Sequence, residues 1–389
     1  MEQQLIQSID QNPNNGVDYY NLALIISDEN RSSAILLSGE SMTIQQLYLK
    51  AIECDSSHSE SYHKLGFLMT NKDKIITLNN GQTMTEQQLY MKAIECNPNR
   101  YESYYNLATA IEGDDTITLN NGQSMTDRQL FLKVIECEPY HSDSYHNLAT
   151  ILLKSDDTIT LNNGQTMTQR QLYFKAIECN PYNTESYYNL ARTLVQGEMI
   201  TLNNGQTMTE QQLYMKAIEC DPNDTFSYIS LSSLLSPYET IILHDGQVMT
   251  RIQLLVRAID CDPNYPLTYS LLANSLPGTI HTAITLLDGQ LMSHKQLYLK
   301  SLALDQTYYD AHVNLANLLE PTESIVLPSG DTLTKKQLYQ RAIQLKPNFH
   351  HSFIGLALCM NSNETITLHN GEQMSRRQLL QKARNQSDQ

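Results

Sequence analysis

Seven cysteines, Cys54, Cys96, Cys137, Cys179, Cys220, Cys261 and Cys359, are the residues of this chain best suited to nucleophilic, redox or metal chemistry. The first six lie 41 or 42 residues apart. Metal sites built on cysteine use closely spaced ligands; no CxxC occurs, and no Cys/His spacing here supports a zinc site. The even spacing is a repeat register rather than a disulfide framework. It predicts small, buried apolar residues in a reducing compartment. Among eleven histidines, His58/His63 and His141/His146 are five apart, a poor spacing for two ligands on one helix. Their expected roles are structural or solvated. Ser and Thr are plentiful, yet none sits in GxSxG, and neither GxxxxGK[ST] nor HExxH occurs. A residue copied in every repeat is a weak nucleophile candidate, because a catalytic centre is needed once. The expectation is no enzyme activity, no metal and no cofactor.

The totals narrow the partners. The chain has 389 residues and a net charge of −16. Nucleic-acid binding needs clustered cations, so no nucleic-acid partner is expected. The same acidity disfavours anionic membranes, and no apolar run is long enough to span a bilayer. Residues 1–15 lack an apolar stretch flanked by basic residues, so no secretory signal is expected. Together with the cysteines this predicts a cytoplasmic, reducing location. Delivery into a host cell by a signal-less route stays compatible with it.

Internal periodicity decides the architecture. A turn glycine recurs at Gly39, Gly81, Gly122, Gly164, Gly205, Gly246, Gly289, Gly330 and Gly371, at steps of 41 to 43 residues. The text around each is the same, and the third copy reads most clearly. Tyr101 to Gly113 is an amphipathic helix, with Tyr104, Leu107, Ala108 and Ile111 on one stripe. Asp127 to Tyr140 is a second helix carrying Leu130, Phe131, Val134 and Ile135, and Pro139 ends it. Its start is a capping box, Thr126 with Gln129, repeated from Thr43/Gln46 to Ser375/Gln378. A Met or Leu before each cap and a Leu five residues later, as in Met84/Leu89, form a hydrophobic staple.

Between the helices lies a β-hairpin. Thr116 to Leu119 and Gln123 to Thr126 alternate apolar and polar residues. A two-residue Asn-Gly turn would put Met125 on the face opposite Ile117. A three-residue turn with Gly122 left-handed pairs Leu119 with Gln123 and Ile117 with Met125, so that register is predicted. A lone hairpin is marginal in water, so each should lean on its own helices or on the next hairpin.

The helical text resembles the tetratricopeptide repeat family. YYNLA from Tyr104 and LYMKAIECNP from Leu89 to Pro98 carry the resemblance, through Tyr104, Leu107, Ala108, Ala93 and Pro98. The chain departs from the family's usual length of about 34 residues by the hairpin inserted between the helices. The resemblance implies a mainly α fold, a right-handed α–α superhelix with nine β-hairpins along one edge. Residues 1–15 read as an N-terminal capping half-repeat of the second-helix type, 16–386 as nine repeats and 387–389 as a frayed tail.

The resemblance also implies a concave groove lined by first helices. Tyr20, His63, Tyr105, His146 and Tyr188 recur at one place on that face. One residue later come Asn21, Asn106, Asn147, Asn189 and Asn314, with Lys64 interrupting. An Asn amide matches the donor and acceptor of a peptide group. In O-linked N-acetylglucosamine transferases, whose repeats these resemble, an Asn in the same Asn-Leu-small context forms a ladder along a bound peptide backbone. Asn106, Asn147 and Asn189 are the best such run; the competing role is holding adjacent repeats together. Only Lys64 and Arg192 fall near the cations with which other members clamp a carboxylate, so that mode is not expected. Acids at first-helix starts, among them Glu60, Glu102 and Asp143, read first as dipole compensation and second as selectors of a basic partner. The expected function is a scaffold binding a protein or extended peptide. Its alternatives are the substrate-recruiting arm of an enzyme whose catalytic domain lies elsewhere, and a structural protein self-assembling through its C-terminal end or hairpin edges.

Overall fold

The computed structural model describes residues 1–69, 75–111, 115–152, 157–277 and 282–387. After a leading helix, Glu2–Gln11, the order helix, hairpin, helix recurs nine times among the described residues. The chain divides into two compact units, Met1–Ser186 and Tyr187–Gln389. The last helix is Arg376–Ser387, and residues 388 and 389 of the expected tail lie outside the described residues, as do 112 and 113 of the first-helix text.

The third repeat shows why these residues form these elements. Its second helix, Asp127–Cys137, starts as the sequence requires. The Gln129 N–H donates to Thr126 Oγ1 at 3.3 Å, and the Thr126 N–H donates to Gln129 Oε1 at 3.0 Å. The same reciprocal pair opens the second helix of every repeat. Thr126→Ala is expected to destabilise the first unit by about 1 kcal/mol, read as a urea midpoint shift. Thr126→Ser, the residue type found at Ser293 and Ser375, should restore most of it.

The hairpin has the three-residue turn. Ile117 pairs with Met125 across antiparallel strands Thr116–Thr118 and Ser124–Thr126. The Leu119 N–H donates to the Gln123 carbonyl at 2.9 Å, and Gly122, at φ 85°, donates to the Leu119 carbonyl at 2.9 Å. That left-handed geometry is open to glycine at little cost. Leu119 and Met125 are buried and Ile117 half-buried, so one face of the hairpin joins the core. Each hairpin is its own two-stranded sheet, with no ladder to another hairpin among the described residues.

Helices pack against their chain neighbours. First and second helices of one repeat bury Leu107, Ala108, Leu130, Phe131 and Val134 together. The second helix ends where Pro98-type residues demand, with Asn97 extended at φ −141° and ψ 95°. Asn97 Oδ1 then accepts from the Asn99 N–H at 3.1 Å, an Asx turn leading into the next first helix.

First-helix starts are capped by residues that pattern alone does not flag. Nδ1 of His58 and of His141 accepts from the Ser61 and Ser144 amides, each at 3.3 Å. Asn183 Oδ1 caps Ser186 N at 2.9 Å in the same way. In both histidines, the ring nitrogen Nδ1 takes the place of the usual N-cap oxygen.

Candidate functional site

The first-helix face is positioned by a buried stripe of small residues. Ser61, Ser103, Ser144 and Ser186 are fully buried where successive repeats meet, which lets neighbouring helices approach. The two residues following the core tyrosine then fall at the seam between repeats. They are the recurring aromatic position and the Asn position.

In the first unit, the histidines at the aromatic position turn inward. His63 is 6% exposed, shares a hydrogen bond of 3.0 Å with Ser103 Oγ, and lies 5.7 Å from the Tyr90 ring. His146 repeats this with Ser186 Oγ at 3.0 Å and Tyr173 at 5.6 Å. Both are seam residues that reach the next repeat, rather than rings offered to solvent. Burial first, then Arg100 and Lys64, pushes the His63 pKa down to about 4. Burial also lowers that of His146, opposed by Glu185 and Asp143.

The tyrosines at the same position stay half-buried. The Tyr20 ring lies 5.1 Å from His58, and that of Tyr105 4.9 Å from His141. In the second unit Tyr188 stacks beside Tyr214 at 5.7 Å and under the Arg192 guanidinium at 5.6 Å.

All five asparagines of the proposed ladder are half-buried. Asn106 hydrogen-bonds the Tyr90 hydroxyl of the preceding second helix. Asn147 donates to the Tyr105 hydroxyl at 3.4 Å. In the second unit Asn189 Oδ1 accepts from Arg192 at 3.4 Å, and Asn314 donates to Asn274 Oδ1 at 3.2 Å. Asn274 also accepts from the Tyr298 hydroxyl at 2.5 Å. The amides are therefore oriented by their neighbours while keeping an exposed edge. Lys64 stands at the Asn position with its ammonium 6.0 Å from the Phe67 ring. At the helix starts, Glu60 pairs with Arg100 of the next repeat, and Glu102 lies 3.7 Å from the same guanidinium.

The cysteines are half-buried, where full burial was expected, and none is disulfide-bonded. Three of the thiols reach the preceding repeat. Cys54 Sγ donates to the Pro13 carbonyl at 3.6 Å, Cys96 to Ser56 at 3.8 Å and Cys261 to Pro222 at 3.7 Å. Burial raises the pKa of each of these thiols. A raised pKa lowers the thiolate fraction, so these sulfurs are poor nucleophiles. Among the described residues, no group of three or more His, Cys, Asp or Glu is placed to hold a metal, and no helix is long and apolar enough to cross a membrane.

A sequence profile described as "Tetratricopeptide repeat" matches residues 47–88, 89–129, 130–171, 172–212 and 213–253, more than half of the chain. The solved structure of the yeast protein Tom70 shares 14% identity, covering 92% of this chain and 83% of that one, with a TM-score of 0.35. YrrB, described as "a TPR protein with an unusual peptide-binding site", shares 17% identity over 71% of this chain and 100% of its own, with a TM-score of 0.27. No curated protein matches in sequence.

Proposed function

From the premise that this chain belongs to the tetratricopeptide repeat family, we propose that it is a protein-interaction scaffold which holds an extended polypeptide along the first-helix face of its repeats. The observation that carries this reading is the set of oriented, half-exposed amides at one helical position, Asn106 and Asn147 in the first unit and Asn189 and Asn314 in the second. Each amide has four hydrogen-bonding sites and spends only part of them on its neighbour. Repeats stack at about 10 Å and an extended chain rises ~3.3 Å per residue. Successive amides thus meet about every third peptide group. Such contacts read backbone and not side chain, so sequence preference would come from the flanking tyrosines Tyr20, Tyr105 and Tyr188. Seven cysteines outside any disulfide suit a reducing compartment.

The test is capture of partners by the intact chain, followed by an affinity measurement with a peptide from the captured protein. Asn106→Ala and Asn147→Ala combined, both in the first unit, are expected to weaken that peptide roughly thirtyfold, at about 1 kcal/mol per lost hydrogen bond. Helical circular dichroism should be unchanged. Unchanged affinity removes the ladder. Loss of helix assigns these amides to inter-repeat cohesion instead.

A further inference from the structure

Most hairpins of the first unit are tied to the repeat before them. Asn79, Asn120 and Asn162, each the first residue of a turn, donate to Glu53, Glu95 and Glu136 at 2.5, 2.6 and 2.7 Å. A lysine one turn earlier on the same helix holds each carboxylate: Lys50, Lys92 and Lys133, at 2.6 to 2.7 Å. This tether borders the space beneath the preceding hairpin. In the third repeat that space is an open cavity of about 260 Å³ lined by Tyr104, Met125 and Leu132 and by the tether residues Lys133, Glu136 and Asn162.

In the second unit both halves of the tether are replaced at three hairpins, by Leu287/Asp260, Pro328/Ala303 and His369/Gln344, and the first of these borders the largest change in the cavity. Asp260, one methylene shorter, stands for the glutamate, and Leu287 stands for the asparagine. Asp260 pairs with Arg257 at 2.5 Å, and Leu287 is 60% exposed. The equivalent cavity opens to about 560 Å³, between Tyr228, Met249, Ile252, Val256, Ile284 and Leu287. That size falls in the range of ligand-binding clefts, ~300–1,000 Å³. Met249 is only half-buried there, whereas Met42, Met84, Met125, Met167, Met208, Met292 and Met374 are buried at the same hairpin position. The cavity's lip is apolar too. Val248 pairs with Ile242 on the outer face of the hairpin, and both are exposed. In three hairpins of the first unit that cross-strand pair is hydroxylic, as in Thr118 with Ser124 at 2.8 Å and Thr160 with Thr166 at 3.0 Å, while the first hairpin sets Ile35 opposite Ser41. Leu291, on the following hairpin, is exposed as well. The cavity's charge is acidic. Arg257 is neutralised by Asp260 and hydrogen-bonded to the Tyr228 hydroxyl. Asp245, in the cavity wall, and Asp288, beside Leu287, each accept a turn backbone N–H, at 3.0 and 2.9 Å, so two further acids stand beside the Arg257–Asp260 pair.

We propose that this cleft between the hairpins Thr240–Thr250 and Ala283–Ser293 is a second docking site, independent of the first-helix face, for a peptide segment carrying a large aliphatic side chain flanked by lysine or arginine. The aliphatic group fills the cavity beside Met249 and Ile252, and the flanking cations meet Asp245 and Asp288. Exposed aliphatics clustered around a cavity mark such sites more often than they occur by chance.

The probe is a fluorescein-labelled dodecapeptide centred on Lys-Ile-Leu-Lys, with a Glu-Ile-Leu-Glu twin, measured by polarisation against the full chain. The basic peptide is expected to bind at least tenfold tighter than its twin. Leu287→Asn, which restores the turn residue of four other hairpins, should weaken it at least tenfold, and Val248→Thr should weaken it several-fold. The Asn106→Ala/Asn147→Ala variant should bind it as wild type does, so the fate of the first-helix face does not decide this site. No binding by the wild-type chain, equal binding of the twins, or unchanged binding by both hairpin variants would overturn the proposal. So would concentration-dependent dimerisation that disappears in Leu287→Asn, which would give the cleft to a second copy of the chain.

Discussion

Leu130→Ala is expected to destabilise the first unit by about 2–5 kcal/mol, the range for truncating a fully buried leucine. Leu130 has no exposed surface. It is the fifth residue after Met125, the staple pair that fixes how the hairpin enters the second helix. Truncation removes the transfer energy of the lost methyl groups and leaves a cavity between two helices that cannot both move inward. The loss should also be local, because a repeat touches only its neighbours. Hydrogen exchange should accelerate in 101–137 and in the flanking repeats, with the urea midpoint moving several times further than for Thr126→Ala. A shift below about 1 kcal/mol would mean that the repeat relaxes around the cavity, and that the staple is not what orders the helix start.

Acidification is expected to weaken the first unit well before its carboxylates titrate. His63 has a folded pKa of about 4, against about 6.5 in an unfolded chain. The unfolded state therefore takes up the proton first. Stability is fully present above pH 6.5 and falls as pH drops from there towards 4. At 1.36 kcal/mol per pKa unit the full loss is at most about 3 kcal/mol, and the buried ring at the Ser103 seam leaves little solvent to screen it. His141 and His146 act in the same direction, because burial lowers both. Glu53, Glu95 and Glu136 are held down by their lysines and then by the turn asparagines. Their contribution is lost only below the unfolded carboxylate range, near 4.3. Between pH 6.5 and 5 the histidines thus act alone. Urea midpoints across that window should fall steeply for the wild-type chain and less steeply for His63→Gln. Parallel slopes would show that His63 is protonated without penalty.

Much of the fold was legible because its signals are local. Thr126 and Gln129 are three residues apart, and their reciprocal bonds follow from spacing alone. The choice between two hairpin registers needed only the demand that Ile117 and Met125 share a face. The candidate site was less legible, because its partners come from other repeats. His63 and His146 fall in sequence register with Tyr105, and on one helix the three look alike. Only the arrival of Ser103 and Ser186, 40 residues later, separates a ring held in a seam from one at the surface. Cys54, Cys96 and Cys261 show the same limit, since the carbonyls that receive their thiols lie about one repeat earlier. The Asn120–Glu95 tether was not anticipated, and without it Leu287 reads as an ordinary exposed leucine.

The tethers all run backwards along the chain, from a turn asparagine to a glutamate 25 or 26 residues before it. Closing so short a segment costs little entropy. Synthesis proceeds from the N-terminus at ~5–20 residues per second, so the glutamate helix has already emerged when its asparagine appears. Each finger can fasten to finished material within seconds and without waiting for anything downstream. Assembly on the ribosome is thereby given a direction, and an array stalled part-way is left with an open last block rather than a tangle.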